Sequence, residues 1–211
     1  SSDVCSSDLP AASALLDKKW THVQPEEFFK LRHDELLKNY QDELNALKKA
    51  STTADIINSR KNTIEQEVTQ AVRTEMDQNQ QFYRQNKNHH ILRLVLTTID
   101  TPEYQKTAAS VKKMWGAIGV LVDLRIINSH QIVREALHDH NYDILLYGEL
   151  AGSDPDLFPF WHSSQINYPG LNLSRYASHA ADTLLENART ALGDSSRIDM
   201  YKKFQDLLAT D

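Results

Sequence analysis

The segment from Tyr147 to His162 combines carboxylates and aromatic rings with turn-forming Gly and Pro residues. Asp154 and Asp156 flank Pro155 there, and paired carboxylates can carry out acid–base chemistry or bind a cation. Aspartates beside proline also form turns, in which their side chains cap backbone N–H groups. The spacing favours the turn, and the aromatic residues next to it would suit either a core or the wall of a ligand pocket.

Histidines are the other residues with potential for chemistry, at His89-His90 and at His138-x-His140. A zinc site requires three or four convergent ligands. Neither pair has a clear additional ligand beside it in the sequence. We therefore predict surface histidines and no metal site.

Recognised catalytic and phosphate-binding motifs are absent from the sequence. It contains no GxGxxG, no phosphate loop ending in GK[ST], no GxSxG and no HExxH. Its single cysteine, Cys5, excludes an internal disulfide. We predict no catalytic residues and no cofactor, and a hydrolase acting through Asp154 and Asp156 is a distant alternative.

Composition narrows the class of protein further. The 211 residues include 23 Lys and Arg against 29 Asp and Glu, which gives a net charge of −6. A nucleic-acid-binding protein would need a basic surface to neutralise phosphates, so we predict no nucleic-acid partner. With 40% hydrophobic and 25% charged residues the chain falls in the globular range. It has no apolar run of about 18 residues, the length that crosses a membrane.

Residues 23–90 are predicted to form a helical hairpin. Neither Gly nor Pro occurs between Glu26 and Thr101, which favours long helices. Two apolar stripes at helical spacing are separated by a polar link at residues 50–55, as expected for two antiparallel helices that cover each other. The hairpin could be a partner-binding coiled coil, although a structural insertion packed on itself is the simpler interpretation.

From Ile91 onward the pattern becomes that of a mixed α/β fold. Short β-prone apolar runs alternate with helical segments in the order βαβαβ, which predicts a mainly parallel sheet covered by helices. An irregular stretch, 148–170, follows, and two helices close the chain. The predicted strands are 91–98, 120–127 and 142–147, and the predicted helices are 103–117, 131–139, 178–192 and 195–209.

The two ends of the chain suggest a fragment. Residues 1–9 resemble the translation of a sequencing adapter, so we expect them to be an artefact, and residues 10–22 are predicted to include a short helix. The chain also lacks an initiating Met and stops abruptly after Leu207-Leu208-Ala209-Thr210-Asp211. We therefore expect the complete protein to be longer.

Residues 91–211 resemble the C-terminal part of the family 5 extracellular solute-binding proteins, the peptide- and nickel-binding receptors of ABC importers. The resemblance consists of landmarks in the same order as in that family, none of which is diagnostic alone. In this sequence they are Trp115-Gly116-Ala117-Ile118-Gly119-Val120, Asn141-Tyr142-Asp143-Ile144, Gly152-Ser153-Asp154-Pro155-Asp156, Gly170-Leu171-Asn172-Leu173-Ser174-Arg175-Tyr176, Asp182-Thr183-Leu184-Leu185-Glu186-Asn187-Ala188-Arg189 and Arg197-Ile198-Asp199-Met200-Tyr201.

The resemblance implies a periplasmic-binding-protein-like lobe, with 10–22 as a short helix of that fold, 23–90 as an inserted antiparallel helical hairpin and 91–211 as the truncated C-terminal part. It implies a non-enzymatic receptor that closes two lobes around a peptide or related small solute and delivers it to a membrane permease. Such a protein would work outside the cytoplasmic membrane, carried there by a signal or lipoprotein sequence. The alternative is a protein-interaction module that uses the hairpin on an α/β scaffold.

The same resemblance suggests ligand-binding residues. In peptide-binding members an Asp a few residues before the Asp-Pro turn holds the ligand's α-amino group, and that position here is Ala151. Glu149 could substitute for it, or the ligand could lack a free amino terminus. Asp154, Trp161 and Asn172 complete the predicted contacts, by their positions in the matched loop.

Overall fold

A computed structural model describes residues 3–50, 53–76, 80–148 and 156–210. Within these ranges the chain forms α-helices, short strands, one π-helical segment and one 3-10 turn. The helices are α1 Asp3–Leu16, α2 Pro25–Lys38, α3 Gln41–Lys49, α4 Ala54–Glu75, α5 Pro102–Gly116, α6 Phe158–Trp161, α7 His179–Thr190 and α8 Asp194–Thr210. The strands are β1 Thr21–Val23, β2 Tyr83–Gln85, β3 Arg93–Ile99, β4 Leu121–Ile127 and β5 Ile144–Leu146.

The chain divides into two compact units, each formed by two stretches of sequence. The first unit comprises Ser1–Val95 and Thr107–Leu124, and the second comprises Leu96–Lys106 and Arg125–Asp211. The boundaries fall within β3, α5 and β4. The whole predicted hairpin, residues 23–90, therefore shares a unit with parts of the α/β region.

In the first unit, a small antiparallel sheet closes the base of the hairpin. β1 pairs with β2, with Val23 opposite Tyr83. Both side chains are fully buried, and Tyr83 stacks on Phe28 at 3.9 Å between ring centroids. Leu121 belongs to the same hydrophobic cluster. The sequence pattern did not predict these strands, because three residues are too few to display an alternation.

The hairpin is confirmed, with three helices in place of the two that were predicted. The first predicted helix is interrupted at Asn39, whose N–H bonds back to the carbonyls of Leu36 and Leu37 and ends α2. Tyr40 precedes α3 with φ −96° and ψ −1°. The apolar stripe continues across the break, because Leu37, Tyr40 and Leu44 all pack on the same buried face of α4.

Ion pairs between these helices show that they run antiparallel. Arg32, near the middle of α2, contacts Glu75 at the end of α4 at 3.1 Å. Arg60, early in α4, contacts Glu43 of α3 at 2.6 Å. The buried residues of α4 are Ile64, Val68 and Val72, spaced at four residues as a helix stripe requires.

The predicted parallel sheet is present, with strand order β4-β3-β5. β3 and β5 are parallel, with Leu96 opposite Ile144. The predicted helix 131–139 is instead a π-helical segment, Val133–Leu137, and the predicted strand 142–147 is reduced to Ile144–Leu146. The wider turn is shown by the N–H of His138, which bonds to the carbonyl five residues earlier.

Arg84 of β2 is a fully buried charge in the first unit. Its guanidinium donates to Asp17 Oδ1 at 2.6 Å and to Ser13 Oγ at 2.8 Å, and its Nε donates to the Ile118 carbonyl at 2.6 Å. The Arg84 side chain therefore holds α1 and the turn after it against the end of α5. Asp17 responds to the same contact: the hydrogen bond from Arg84 keeps the pKa of Asp17 below its ordinary value of 3.8, although desolvation opposes it.

Among the described helices, none combines the length and the apolar character needed to cross a bilayer.

Candidate functional site

A cavity of about 730 Å³ lies in the second unit, beside β5. Its volume falls in the range of small-molecule sites. Four aromatic residues and three leucines form its apolar walls. The aromatic residues are Tyr142, Tyr147, Phe160 and Trp161, and the leucines are Leu145, Leu171 and Leu173.

Four polar residues complete the lining of the cavity: His140, Asp143, Ser174 and Arg175. His140 and Arg175 both have positive φ angles, of 50° and 56°. Non-glycine residues seldom adopt this left-handed conformation, and such residues concentrate at functional sites. Among the described residues, His140 Nε2 is a buried nitrogen without a hydrogen-bond partner.

Asn172 organises one wall of the cavity from behind. It is fully buried, and its Nδ2 donates to the carbonyls of Trp161, His162 and Tyr176 at 3.2, 3.1 and 2.8 Å. Its Oδ1 accepts the Ser174 hydroxyl at 2.9 Å. One side chain thus ties the segment that carries Trp161 to the segment that carries Ser174 and Arg175.

Helix α7 anchors the same wall. The backbone N–H and hydroxyl of Ser163 both donate to Asp182, at 2.9 and 2.6 Å. The buried His162 places Nε2 3.3 Å from Glu186 Oε1 and Nδ1 2.8 Å from Ser164 Oγ. Desolvation alone would raise the pKa of Asp182, but the two bonds from Ser163 and the nearby histidines bring the pKa below its ordinary value of 3.8.

Aromatic packing fixes Trp161 in this wall. Its ring meets Phe204 of α8 edge-on at 5.7 Å and Tyr176 at 6.3 Å between centroids. Edge-to-face contacts of this kind are favourable beyond simple burial. The indole therefore belongs to both the cavity lining and the cluster under α7 and α8.

Of the five predicted contact residues, the structure describes two, Trp161 and Asn172. Glu149, Ala151 and Asp154 lie outside the described residues. Trp161 lines the cavity, whereas Asn172 lies behind the wall, with its amide committed to backbone groups.

Asp156, the other carboxylate considered for chemistry, caps the backbone. Its Oδ1 accepts the N–H of Phe158 at 3.1 Å, as the turn interpretation predicted. Its Oδ2 pairs with Arg189 of α7 at 2.8 Å, and that guanidinium also lies 4.1 Å from the Phe158 ring centroid. Asp156 therefore fastens the start of α6 to α7.

Sequence reasoning missed the polar residues His140, Asp143 and Arg175. His140 was considered only with His138 as a metal ligand, but His138 instead bonds Asp139 and packs against Tyr168 at 5.0 Å. Among the residues that the structure describes, no group of three or more potential metal ligands converges. Arg175 was present in a matched landmark. The turn-forming residues Gly170 and Asn172 before it were the only local sign that the backbone turns there.

The sequence matches no known family profile, and no curated protein matches it. Solved structures do match. They include the oligopeptide-binding protein AppA of Bacillus subtilis with a nonapeptide (21% identity, TM-score 0.52, 66% of this chain and 28% of that one). NikZ of Campylobacter jejuni with Ni(L-His) matches at 21% identity and TM-score 0.51, over 66% of this chain and 28% of that one. An oligopeptide-binding protein of Thermus thermophilus with a pentapeptide matches at 13% identity and TM-score 0.53, over 68% of this chain and 28% of that one.

These matches establish the class of fold. The chain has the α/β fold of the periplasmic peptide- and nickel-binding proteins, over about two thirds of its length. It spans about 28% of the length of these three neighbours.

Proposed function

We propose that the complete protein is the substrate-binding component of an ABC importer. It binds a peptide or related small solute between two lobes, outside the cytoplasmic membrane, and delivers the solute to a membrane permease. In this proposal the protein is not an enzyme, residues 91–211 form the C-terminal part of one binding domain, and residues 23–90 are an insertion in it.

The observation that carries the proposal is the aromatic-walled cavity beside β5. Ligands of open α/β sheets bind outside the carboxyl ends of the strands, and Tyr147 of the cavity lining directly follows β5. The fold is shared with proteins solved in complex with a nonapeptide, a pentapeptide and Ni(L-His). A cavity with these walls and few polar groups suits a solute with substantial apolar surface.

The alternative function, protein interaction through the hairpin, has less support. An interaction surface would require the apolar stripe of the hairpin to face outward. In the described part of the hairpin the central residues of that stripe, Ile64, Val68 and Val72, are buried against α2 and α3. The contacts support a hairpin packed on itself.

Thermal unfolding with pools of short peptides tests the proposal. A ligand that binds only the folded state raises the melting temperature progressively with its concentration. We expect at least one pool to stabilise the complete protein, and its Trp161→Ala variant to lose most of that shift. Pools with blocked amino termini show whether a free α-amino group is needed when Ala151 occupies the position of the anchoring Asp.

The matched control is Trp20→Ala, because Trp20 is not part of the cavity lining. Peptide stabilisation should survive this change. A folded complete protein that no pool stabilises, or a shift that persists unchanged in its Trp161→Ala variant, would contradict the proposal.

A further inference from the structure

Arg175 brings an unmatched positive charge to the cavity wall. Its side chain lines the cavity, and among the described residues no carboxylate lies within ion-pair distance of its guanidinium. By contrast, Arg189 of the same unit pairs with Asp156. A guanidinium carries five donors in a fixed fork that matches a carboxylate. Arg175 therefore has binding capacity that the protein itself leaves unused.

The backbone places Arg175 at this wall by a specific turn. The N–H of Arg175 donates to the Asn172 carbonyl at 3.2 Å, and the Asn172 side chain accepts the Ser174 hydroxyl. Arg175 itself adopts φ 56°, a conformation that costs an L-residue free energy. The buried Asn172 thus sustains a strained residue at the cavity, which is the pattern of a position held for function.

The other polar groups of the lining are not described ion-pair partners of Arg175. Asp143 is the carboxylate of this lining, and among the described ion pairs none joins it to Arg175. The Tyr142 hydroxyl donates to the Leu173 carbonyl at 2.5 Å, and the Ser174 hydroxyl is bonded to Asn172. His140 Nε2 is a further polar atom on this lining, unpaired among the described residues.

The rest of the wall favours a flat apolar group. Trp161, Phe160 and Tyr147 supply aromatic faces, and leucines fill the spaces between them. Aromatic rings stack or meet edge-to-face with a gain beyond area burial. A ligand could fill this cavity with an aromatic body and still leave Arg175 unpaired. It would then lack the charge-assisted hydrogen bonds that the guanidinium can donate, which are the strongest available.

We propose that the cavity selects solutes with an aromatic body and a carboxylate, and that the guanidinium of Arg175 holds the carboxylate. This inference rests on the proposed solute-binding function and specifies the chemistry of the solute. The neutral amide of the same body would lose the ion pair with Arg175. Arg175 is the specificity-determining residue of the cavity.

Calorimetric titration of the 211-residue chain with 3-phenylpropionate and 3-phenylpropionamide tests this proposal. The two compounds differ only in the charged group, so the ratio of their affinities isolates the contribution of the carboxylate. We expect the wild type to prefer the acid by about tenfold or more, the range of a charge-assisted hydrogen bond. Arg175→Gln should bring the ratio close to one by weakening acid binding alone.

Arg134→Gln is the matched control, because Arg134 is an exposed arginine of the same unit outside the cavity lining. It should keep the wild-type preference. The proposal is overturned by equal affinities for acid and amide in the wild type, by an unchanged preference in Arg175→Gln, or by no detectable binding of 3-phenylpropionate. Peptide stabilisation in any of these cases would leave the solute-binding function standing.

Discussion

At the scale of single residues, Asn172 is a polar side chain near a cavity whose hydrogen-bonding groups are all used to hold the cavity wall. Its position in a matched loop suggested a ligand contact. In the structure its two N–H groups serve three carbonyls, and its oxygen accepts the Ser174 hydroxyl. Under the proposed solute-binding function, Asn172 is therefore a positioning residue that would act on a solute through Trp161 and Arg175.

Replacing Asn172 with Ala should destabilise the second unit and weaken solute binding together. The change leaves buried carbonyls without a donor, at a cost of about 1–3 kcal/mol for an unsatisfied buried group. Chemical denaturation measures the loss of stability. The acid-to-amide affinity ratio should also fall, since the turn that holds Arg175 loses its support.

Asn167→Ala provides the comparison, because Asn167 is an exposed residue of the same loop. Its stability and its affinity ratio should match those of the wild type. A positioning role for Asn172 would be refuted if Asn172→Ala lost stability but kept the full preference for the acid.

Asp182 makes the stability of the second unit depend on pH in the acid range. A carboxylate whose pKa is lowered by folding stabilises the native state above its unfolded pKa, and this contribution is lost as the pH falls through the folded value. The ordinary value is 3.8, so the loss occurs below about pH 4. The stability difference between wild type and Asp182→Asn should be constant from pH 7 to about pH 5 and shrink at lower pH.

Denaturant midpoints measured across this pH range test the prediction. Asp199→Asn serves as the control, since Asp199 is an exposed aspartate of α8. Its difference from the wild type should be small at every pH. A difference for Asp182→Asn that persists unchanged at about pH 3 would show that Ser163 stabilises the protonated carboxyl equally well.

At the scale of elements, apolar periodicity predicted the long helices and the parallel strands. α5 falls close to its predicted range, and α4 follows the predicted polar link, because each has a stripe long enough to define a period. The break between α2 and α3 was not predictable, since helical spacing continues through Tyr40. The π-helical segment Val133–Leu137 was also missed, because five residues do not separate a period of about 3.6 from a wider turn.

The hairpin core can be tested with two isoleucines of one helix. Ile64 of α4 is 1% exposed and Ile56 is 56% exposed. Ile64→Ala should lower the free energy of unfolding by about 2–5 kcal/mol, because it removes a buried side chain and leaves a cavity. Ile56→Ala should change it by less than about 0.5 kcal/mol, and thermal or denaturant unfolding compares the two.

Equal effects of the two substitutions would contradict the self-packed hairpin. If Ile56→Ala were the more damaging change, the outward face of α4 would be the buried one in solution. The apolar stripe of α4 would then face outward, as the protein-interaction hypothesis requires.

At the scale of the whole molecule, the class of fold could be predicted and the cavity only in part. Landmarks such as Asn141-Tyr142-Asp143 identified the α/β region, and the comparison with solved structures confirms that fold. Trp161 was predicted as a contact from its neighbourhood. Arg175 was not, because its place on the cavity lining depends on the hydrogen bonds of Asn172 and on a left-handed backbone, which a linear pattern does not encode.

Arg84 has a practical consequence for anyone who shortens this chain. Its buried guanidinium depends on Ser13 and Asp17, so these two residues are fixed requirements of the first unit even though Asp17 itself is half exposed. Removing one partner of a buried charge costs far more than removing a surface pair. A truncated version that begins ahead of Ser13 therefore keeps the contacts of Arg84 with Ser13 and Asp17. One that begins after Asp17 would leave the buried guanidinium of Arg84 without its ion-pair partner. The safe starting point for domain trimming is set by Arg84, which lies far along the chain, after the last helix of the hairpin.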